Sequence, residues 1–284
     1  MIYREFFIIA SNIIYYFKDK IIVLYIYCFK FNEIKYIIKE GAIIILLFKH
    51  KYRRNGMIFY EKKHKETGKE YAYRVLKENI MSLELKPGEL LSESDLSEKL
   101  NISRTPIREV IMKLKGEHLI EVKPQAGTYV SLIDKDIIDE AIFMRRLLEK
   151  EVLKEACNEF SEEILMELEK NLFAQKLVLD KDGKENEFHN LDKEFHRLIF
   201  IGCNKINIWE SIMKISTHYN RMRLLSERKI DKGLLVQQHE EMLSIIKNKD
   251  LNKIDEYIEK HIVAPANEWN KLIDDNEEIR TYLK

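Results

Sequence analysis

The sequence predicts a mainly α chain in two parts. An N-terminal winged helix-turn-helix of α+β character spans residues 57–133, and an all-α helical bundle spans residues 134–284. Three observations carry this reading. Ser92–Leu100 and Ser103–Val110 read as two helix starts separated by the two-residue turn Asn101-Ile102. Two short runs, Leu119–Lys123 and Thr128–Ser131, flank Pro124-Gln125-Ala126-Gly127 and read as a β-hairpin with Gly127 at its tip. From Lys135 onward strand-like alternation disappears, one proline remains, and apolar residues recur at helical spacing.

In chain order, residues 1–56 stand apart. Fourteen of them are Ile and thirteen are aromatic, with 10 Lys/Arg against 4 Asp/Glu. No apolar run reaches the ~18 residues that suit a membrane helix. No small-residue cleavage site of a secretory signal is present. The stretch reads as AT-rich upstream DNA carried into translation. Arg53-Arg54 is encodable as a ribosome-binding sequence a suitable distance before Met57, so the native start is expected at Met57. Two alternatives stand beside this: a membrane-associated or dimer-packing extension, and an additional helical domain.

A helix is expected over about Glu70–Ser82, followed by a Pro87-Gly88 turn that leads into a short edge strand near Leu90-Leu91. Ser92 is placed to cap the next helix, with acids in its first turn and Leu96 and Leu100 as its buried edge. Asn101 tolerates the left-handed conformation a tight turn requires. Ser103 is expected to cap the following helix through its hydroxyl, with Pro106 in the first turn, where a missing N–H costs little. Ile107, Val110, Ile111 and Leu114 form an inward stripe that leaves Arg104 and Arg108 free on one outer face. Two guanidinium groups with Thr105 between them suit base edges and phosphates in a major groove.

Six helical segments follow, roughly Lys135–Phe160, Ser161–Asp180, Asn186–Cys203, Ile208–Arg228, Gly233–Asn248 and Asn252–Asp274. Asp192 and His196 lie one turn apart on one helix, a spacing that can chelate a divalent metal. His239 and His261 lie in later helices, and any one of these histidines can equally be a satisfied or exposed side chain. His189 shares the face of Asp192 and His196 and is a rival ligand. Pro265 is expected to free the His261 carbonyl and kink the last helix.

Composition bounds the function. Formal net charge is zero, which disfavours a general polyanion binder. Residues 57–284 hold 38 Lys/Arg against 44 Asp/Glu, so DNA affinity has to come from a local patch, doubled by a homodimer reading two half-sites. Cys28, Cys157 and Cys203 have no metal or redox spacing and read as free thiols of a reducing cytosol. No nucleophile motif and no phosphate-cradling glycine loop is present, so an enzyme is not expected.

The pattern Pro87-Gly88-x-x-Leu91-x-Glu93-x-x-Leu96, then Ser103-Arg104-Thr105-Pro106-x-Arg108-Glu109, then Gly127-x-x-Val130 resembles the winged helix-turn-helix of GntR-type bacterial transcription regulators over about Glu70–Ile133. The resemblance implies operator contacts from Arg104, Thr105, Arg108 and Gly127, with Ser103 beside them. It also implies one from Ser94, a position often basic in that family. Asp192-x-x-Phe195-His196, His239-Glu240 and His261-Ile262 are similar to the FadR-type (FCD) effector domain in its metal-binding branch. That likeness implies that Asp192, His196, His239 and His261 hold a divalent transition metal, Zn or Ni. Arg145, in Arg145-x-x-Leu148-Glu149, matches a family arginine that can grip an effector carboxylate. A structural pair with Glu149 is the other reading, and Arg221 and Arg223 are further cavity positions.

The implied function is a cytoplasmic, nucleoid-associated regulator. Its partners are double-stranded operator DNA and a small carboxylate-type effector, with no membrane, and repression is relieved by the effector. The alternatives are a hydrolase-like metalloenzyme with an accessory DNA-binding domain, and a constitutive architectural DNA binder.

Overall fold

The computed structural model describes residues 57–179, 185–227 and 232–284 with side chains. Before residue 57 it describes the backbone of residues 9–17, 20–28, 35–39, 42–46 and 51–54. The chain separates into two compact units, Met1–Glu66 and Thr67–Lys284.

The first unit is built of antiparallel hairpins. β1 (Ile9–Phe17) pairs with β2 (Lys20–Cys28), β3 (Lys35–Lys39) with β4 (Ala42–Leu46), and β5 (Lys51–Arg54) with β6 (Met57–Tyr60). The described backbone there is extended, in place of the helical domain held as an alternative. The side chains of residues 1–56, Cys28 included, and the expected start at Met57 lie outside what the structure describes.

The second unit opens on α1 (Gly68–Met81). Thr67 accepts from the Glu70 N–H, and Glu70 accepts from the Thr67 N–H at 2.8 Å, so two orphan donors are satisfied reciprocally. β7 (Leu90–Leu91) leads into α2 (Glu93–Leu100), where the Ser92 hydroxyl accepts from Asp95 N–H at 3.3 Å. Asn101 takes the left-handed conformation, φ 53°.

α3 (Arg104–Gly116) follows and buries Ile107, Val110, Ile111 and Leu114. Here the expected Ser103 cap fails, since its hydroxyl makes no capping bond. Pro106 occupies the third helical position, whose N–H is the usual cap donor, and proline has none. β8 (Ile120–Lys123) and β9 (Gly127–Val130) form the wing hairpin, and β7 joins the outer side of β9. Gly127 has φ 134°, and a Cβ there would meet Leu90 Cδ1 at 2.9 Å, so the position requires glycine.

The bundle is α4 (Lys135–Asn158), α5 (Glu162–Val178), α6 (Glu185–Gly202), α7 (Ile206–Ile215), α8 (Thr217–Glu227), α9 (Lys232–Asn248), α10 (Ile254–Ile258), α11 (Ala264–Asp274) and α12 (Glu277–Thr281). Phe188, Phe195, Phe200, Ile212 and Tyr257 form the centre of its core. The single segment expected over Ile208–Arg228 is broken at Ser216, between α7 and α8. The last segment is also divided. A 3₁₀ turn (Leu251–Lys253) precedes α10, and a π turn (Glu259–Val263) separates α10 from α11. Pro265 cannot donate to the His261 carbonyl, and the wider turn absorbs the break. α12, capped by Asn276 at 3.1 Å from Ile279 N, is an element the periodicity did not indicate. Among the described residues no helix is long and apolar enough to cross a membrane.

The start of α8 holds the winged helix against the bundle. Thr217 donates to the Glu117 carbonyl at 3.1 Å, and the Arg221 guanidinium donates to the Ser131 carbonyl at 2.8 Å and hydroxyl at 3.1 Å. His218 Nδ1 accepts from the Asp134 N–H at 2.8 Å, which leaves Nε2 to donate to the His118 carbonyl at 2.7 Å. Burial, helped by the Arg221 charge, pushes the His218 pKa down to about 4 from an ordinary 6.5.

Below pH 6.5 the unfolded chain therefore takes up a proton that the folded chain refuses until about pH 4. His218 withdraws stability across that window as pH falls, by at most ~1.4 kcal/mol per pH unit. A His218→Gln variant is expected to lose melting temperature less steeply than the parent over the same window. Parallel curves would remove this role.

Candidate functional site

Two groups of side chains answer to the sequence expectations. The first lies at the start of α3. Ser94, Ser103, Arg104, Thr105 and Arg108 are all exposed. Arg104 and Arg108 are one turn apart and exposed at the start of the helix, beside its buried stripe. Arg108 is not free as expected, because its Nε donates to Glu93 Oε2 at 2.7 Å. An exposed pair of this kind is worth about 0–1 kcal/mol, so it orients the guanidinium without committing it. Gly127 sits half-buried where the wing turns.

The second group is buried in the bundle. α6 supplies Asp192 and His196, α9 supplies His239, and the π turn supplies His261. All four are essentially inaccessible to solvent. His196, His239 and His261 each offer a ring nitrogen within 4.8 Å of the others, a spacing one metal ion can bridge. His196 Nε2 and His261 Nε2 are 3.1 Å apart. Asp192 Oδ1 lies 3.3 Å from His239 Nε2, which has no hydrogen-bond partner among the described residues.

The outer nitrogens explain why the inner ones converge. His239 Nδ1 is 2.7 Å from Gln175 Oε1, and that amide is oriented by its own donation to Asn171 Oδ1 at 2.8 Å. His261 Nδ1 is 2.7 Å from Gln238 Oε1. His196 Nδ1 is 2.8 Å from Glu149 Oε2. The glutamine oxygens beside the Nδ1 atoms of His239 and His261 favour the proton there and an Nε2 lone pair turned inward, whereas His196 Nδ1 is close to Glu149 without forming a hydrogen bond. Burial, together with the neighbouring imidazoles, holds the His261 pKa well below its ordinary value, and burial also lowers that of His239. Burial opposes ionisation of Asp192, but Arg223, His239 and His196 outweigh it and keep its carboxyl well below the usual range. Arg145 and His196 likewise overcome burial at Glu149 and hold it at about 2. Neutral imidazoles and an ionised carboxylate are the ligand forms of these groups.

The three arginines divide. Arg145 Nε donates to Glu149 at 2.5 Å, and its guanidinium lies 4.6 Å from the Tyr219 ring centroid, so the structural pair is present. Arg223 donates to Asp192 Oδ1 at 2.6 Å and lies 2.9 Å from Glu227 Oε1, inside the polar centre. Arg221 is not a cavity residue, since it reaches Ser131 at the junction with the winged helix. His189 pairs with Glu227 at 2.9 Å and stands outside the histidine trio. Cys157 and Cys203 are free and buried. Glu149, Gln175 and Gln238 complete the site as second-layer residues that sequence spacing did not indicate.

Comparison with known proteins follows the same division. Residues 69–130 match bacterial regulatory proteins of the gntR family, and residues 140–264 match the FCD domain. The HTH-type transcriptional repressor RspR of Escherichia coli (strain K12) is 28% identical over 191 residues, covering 67% of this chain and 83% of that protein. An uncharacterized HTH-type transcriptional regulator in an unstable DNA locus of Streptomyces ambofaciens is 30% identical over 217 residues, covering 76% and 88%. Among solved structures, E. coli McbR/YncC shares the fold with a TM-score of 0.61 and 22% identity, covering 72% of this chain and 98% of that one.

Proposed function

Because this chain belongs to the GntR family of DNA-binding transcription regulators and carries an FCD domain, we propose that it is a metal-containing repressor released from its operator by a small organic acid. The observation that supports this reading is the convergence of ring nitrogens from His196, His239 and His261 within 4.8 Å of one another in a buried site. The His196 and His261 Nε2 atoms, 3.1 Å apart, share a proton in the metal-free chain and would turn to a common cation once one binds. Imidazole and carboxylate ligands together favour Zn or Ni among divalent ions. Asp192 would be the fourth residue to hold the ion, and the Arg223 guanidinium beside it, with Arg145 paired to Glu149, would supply positive charge to an acid that reaches the site.

α8 supports a link from input to output. Arg223 and Glu227 on it face the polar centre, while Thr217, His218 and Arg221 grip the winged helix. An acid that draws Arg223 from Asp192 shifts the helix that positions the DNA-reading surface. It regulates only through different affinities for the two placements.

On DNA the chain acts as a homodimer. Operators selected from a random duplex pool are expected to be inverted repeats with half-site centres about 10 base pairs apart or a multiple of that, bound by two protomers. A single half-site bound by one protomer as tightly as the full site would contradict the dimer.

A further inference from the structure

A cleft of about 440 Å³ lies between the start of α4, α11 and the C-terminal segment, away from the histidine trio. Its floor is apolar, formed by Ile138, Ile142, Trp269, Ile273 and Leu283. Its rim is charged. Lys135 donates to Asn270 Oδ1 at 3.0 Å and Arg280 to the Asp274 carbonyl at 2.6 Å, both neutral oxygens. Neither cation has an ion-pair partner among the described residues. Lys284, also at the rim, is neutralised by Asp134 Oδ2 at 3.0 Å, and Asp139 is the one carboxylate lining the cleft. A pocket of this size suits a small ligand. An apolar floor under a rim on which cations outnumber the Asp139 carboxylate selects a particular chemistry, one carboxylate on an apolar body.

We propose that this cleft is a second ligand site, taking an amphipathic monocarboxylate independently of the metal centre. A second copy of the chain is a poorer occupant. A symmetric contact centred here would bring together the same predominantly positive rim from both copies.

The position gives such a ligand a route to the DNA-binding surface. Tyr282 accepts from the Ile133 N–H at 2.8 Å, and the Lys284 N–H returns to the Ile133 carbonyl at 3.0 Å. The C-terminal segment is thereby strapped to the linker that leaves the wing, and Leu283 lies in both the strap and the cleft floor. His218 and Arg221 hold the same linker from α8.

Calorimetric titration of the full, metal-loaded chain with decanoate tests the site. One decanoate per protomer is expected, with decanol at least tenfold weaker. The exposed pair Lys135→Ala/Arg280→Ala is expected to weaken decanoate binding at least tenfold while leaving the melting temperature unchanged. His196→Ala, which empties the metal centre, is expected to bind decanoate within about twofold of the parent. Absence of binding, equal affinity in the double variant, or loss of binding in His196→Ala would each overturn the proposal. The last outcome would place the ligand at the metal centre and leave the proposed function standing.

Discussion

Protein carrying His239→Ala is expected to leave purification with no more than about a tenth of the metal held by the parent, which should carry one transition-metal ion per protomer. His239 Nε2 is buried, has no hydrogen-bond partner among the described residues and lies 3.3 Å from Asp192 Oδ1, so its removal would take away a ligand. His196→Ala should behave alike. Gln238→Leu spares every ligand but frees His261 from its acceptor, and a change of that kind costs about 10–100-fold in metal affinity. Elemental analysis reads all three variants. Thermal unfolding gives an independent readout, because a metal that binds only the folded state at 100 times its dissociation constant adds about 2.7 kcal/mol. A chelator should lower the melting temperature of the parent and leave that of His239→Ala unchanged. Equal metal content in variant and parent would remove the site.

Arg104→Ala is expected to cost roughly 1–3 kcal/mol of operator affinity per half-site. Among the described residues nothing holds Arg104 back from DNA, whereas Arg108 must exchange Glu93 for its new partner. Titration against operator and random duplex at several salt concentrations separates two roles. A base contact is lost from the operator alone. A phosphate contact is lost from both and lowers the salt slope by about one. Glu93→Gln should free Arg108 and strengthen binding by a small factor, since the exposed pair is weak. Unchanged operator affinity in Arg104→Ala would contradict the contact.

Much of this arrangement is legible in local spacing. The stripe Ile107, Val110, Ile111 and Leu114 gives α3 and its outward arginines, and Asn101 gives the turn before it. Asp192 and His196 lie four apart and share a helix face. Pro265 marks the break that became a π turn. What escaped depends on finer or longer-range physics. Ser103 has the residue type of a cap, but its partner position is a proline. Arg221 and Arg223 look alike in sequence, yet two residues along a helix turn the side chain by about 200°. One therefore reaches the winged helix and the other Asp192 in the buried polar centre. Gln175 and Gln238 hold the outer nitrogens of His239 and His261 and Glu149 lies beside that of His196, and no spacing rule links Gln175 to a histidine 64 residues away. α12 is too short to show a period.

The central claim is that the buried histidine centre governs DNA binding. The most direct test is the operator dissociation constant, measured for the metal-loaded parent and for His239→Ala across a panel of small carboxylic acids. At least one acid is expected to weaken the parent tenfold or more and to leave the variant unaffected. An acid that weakens parent and variant equally, or a panel without effect on the parent, would contradict it.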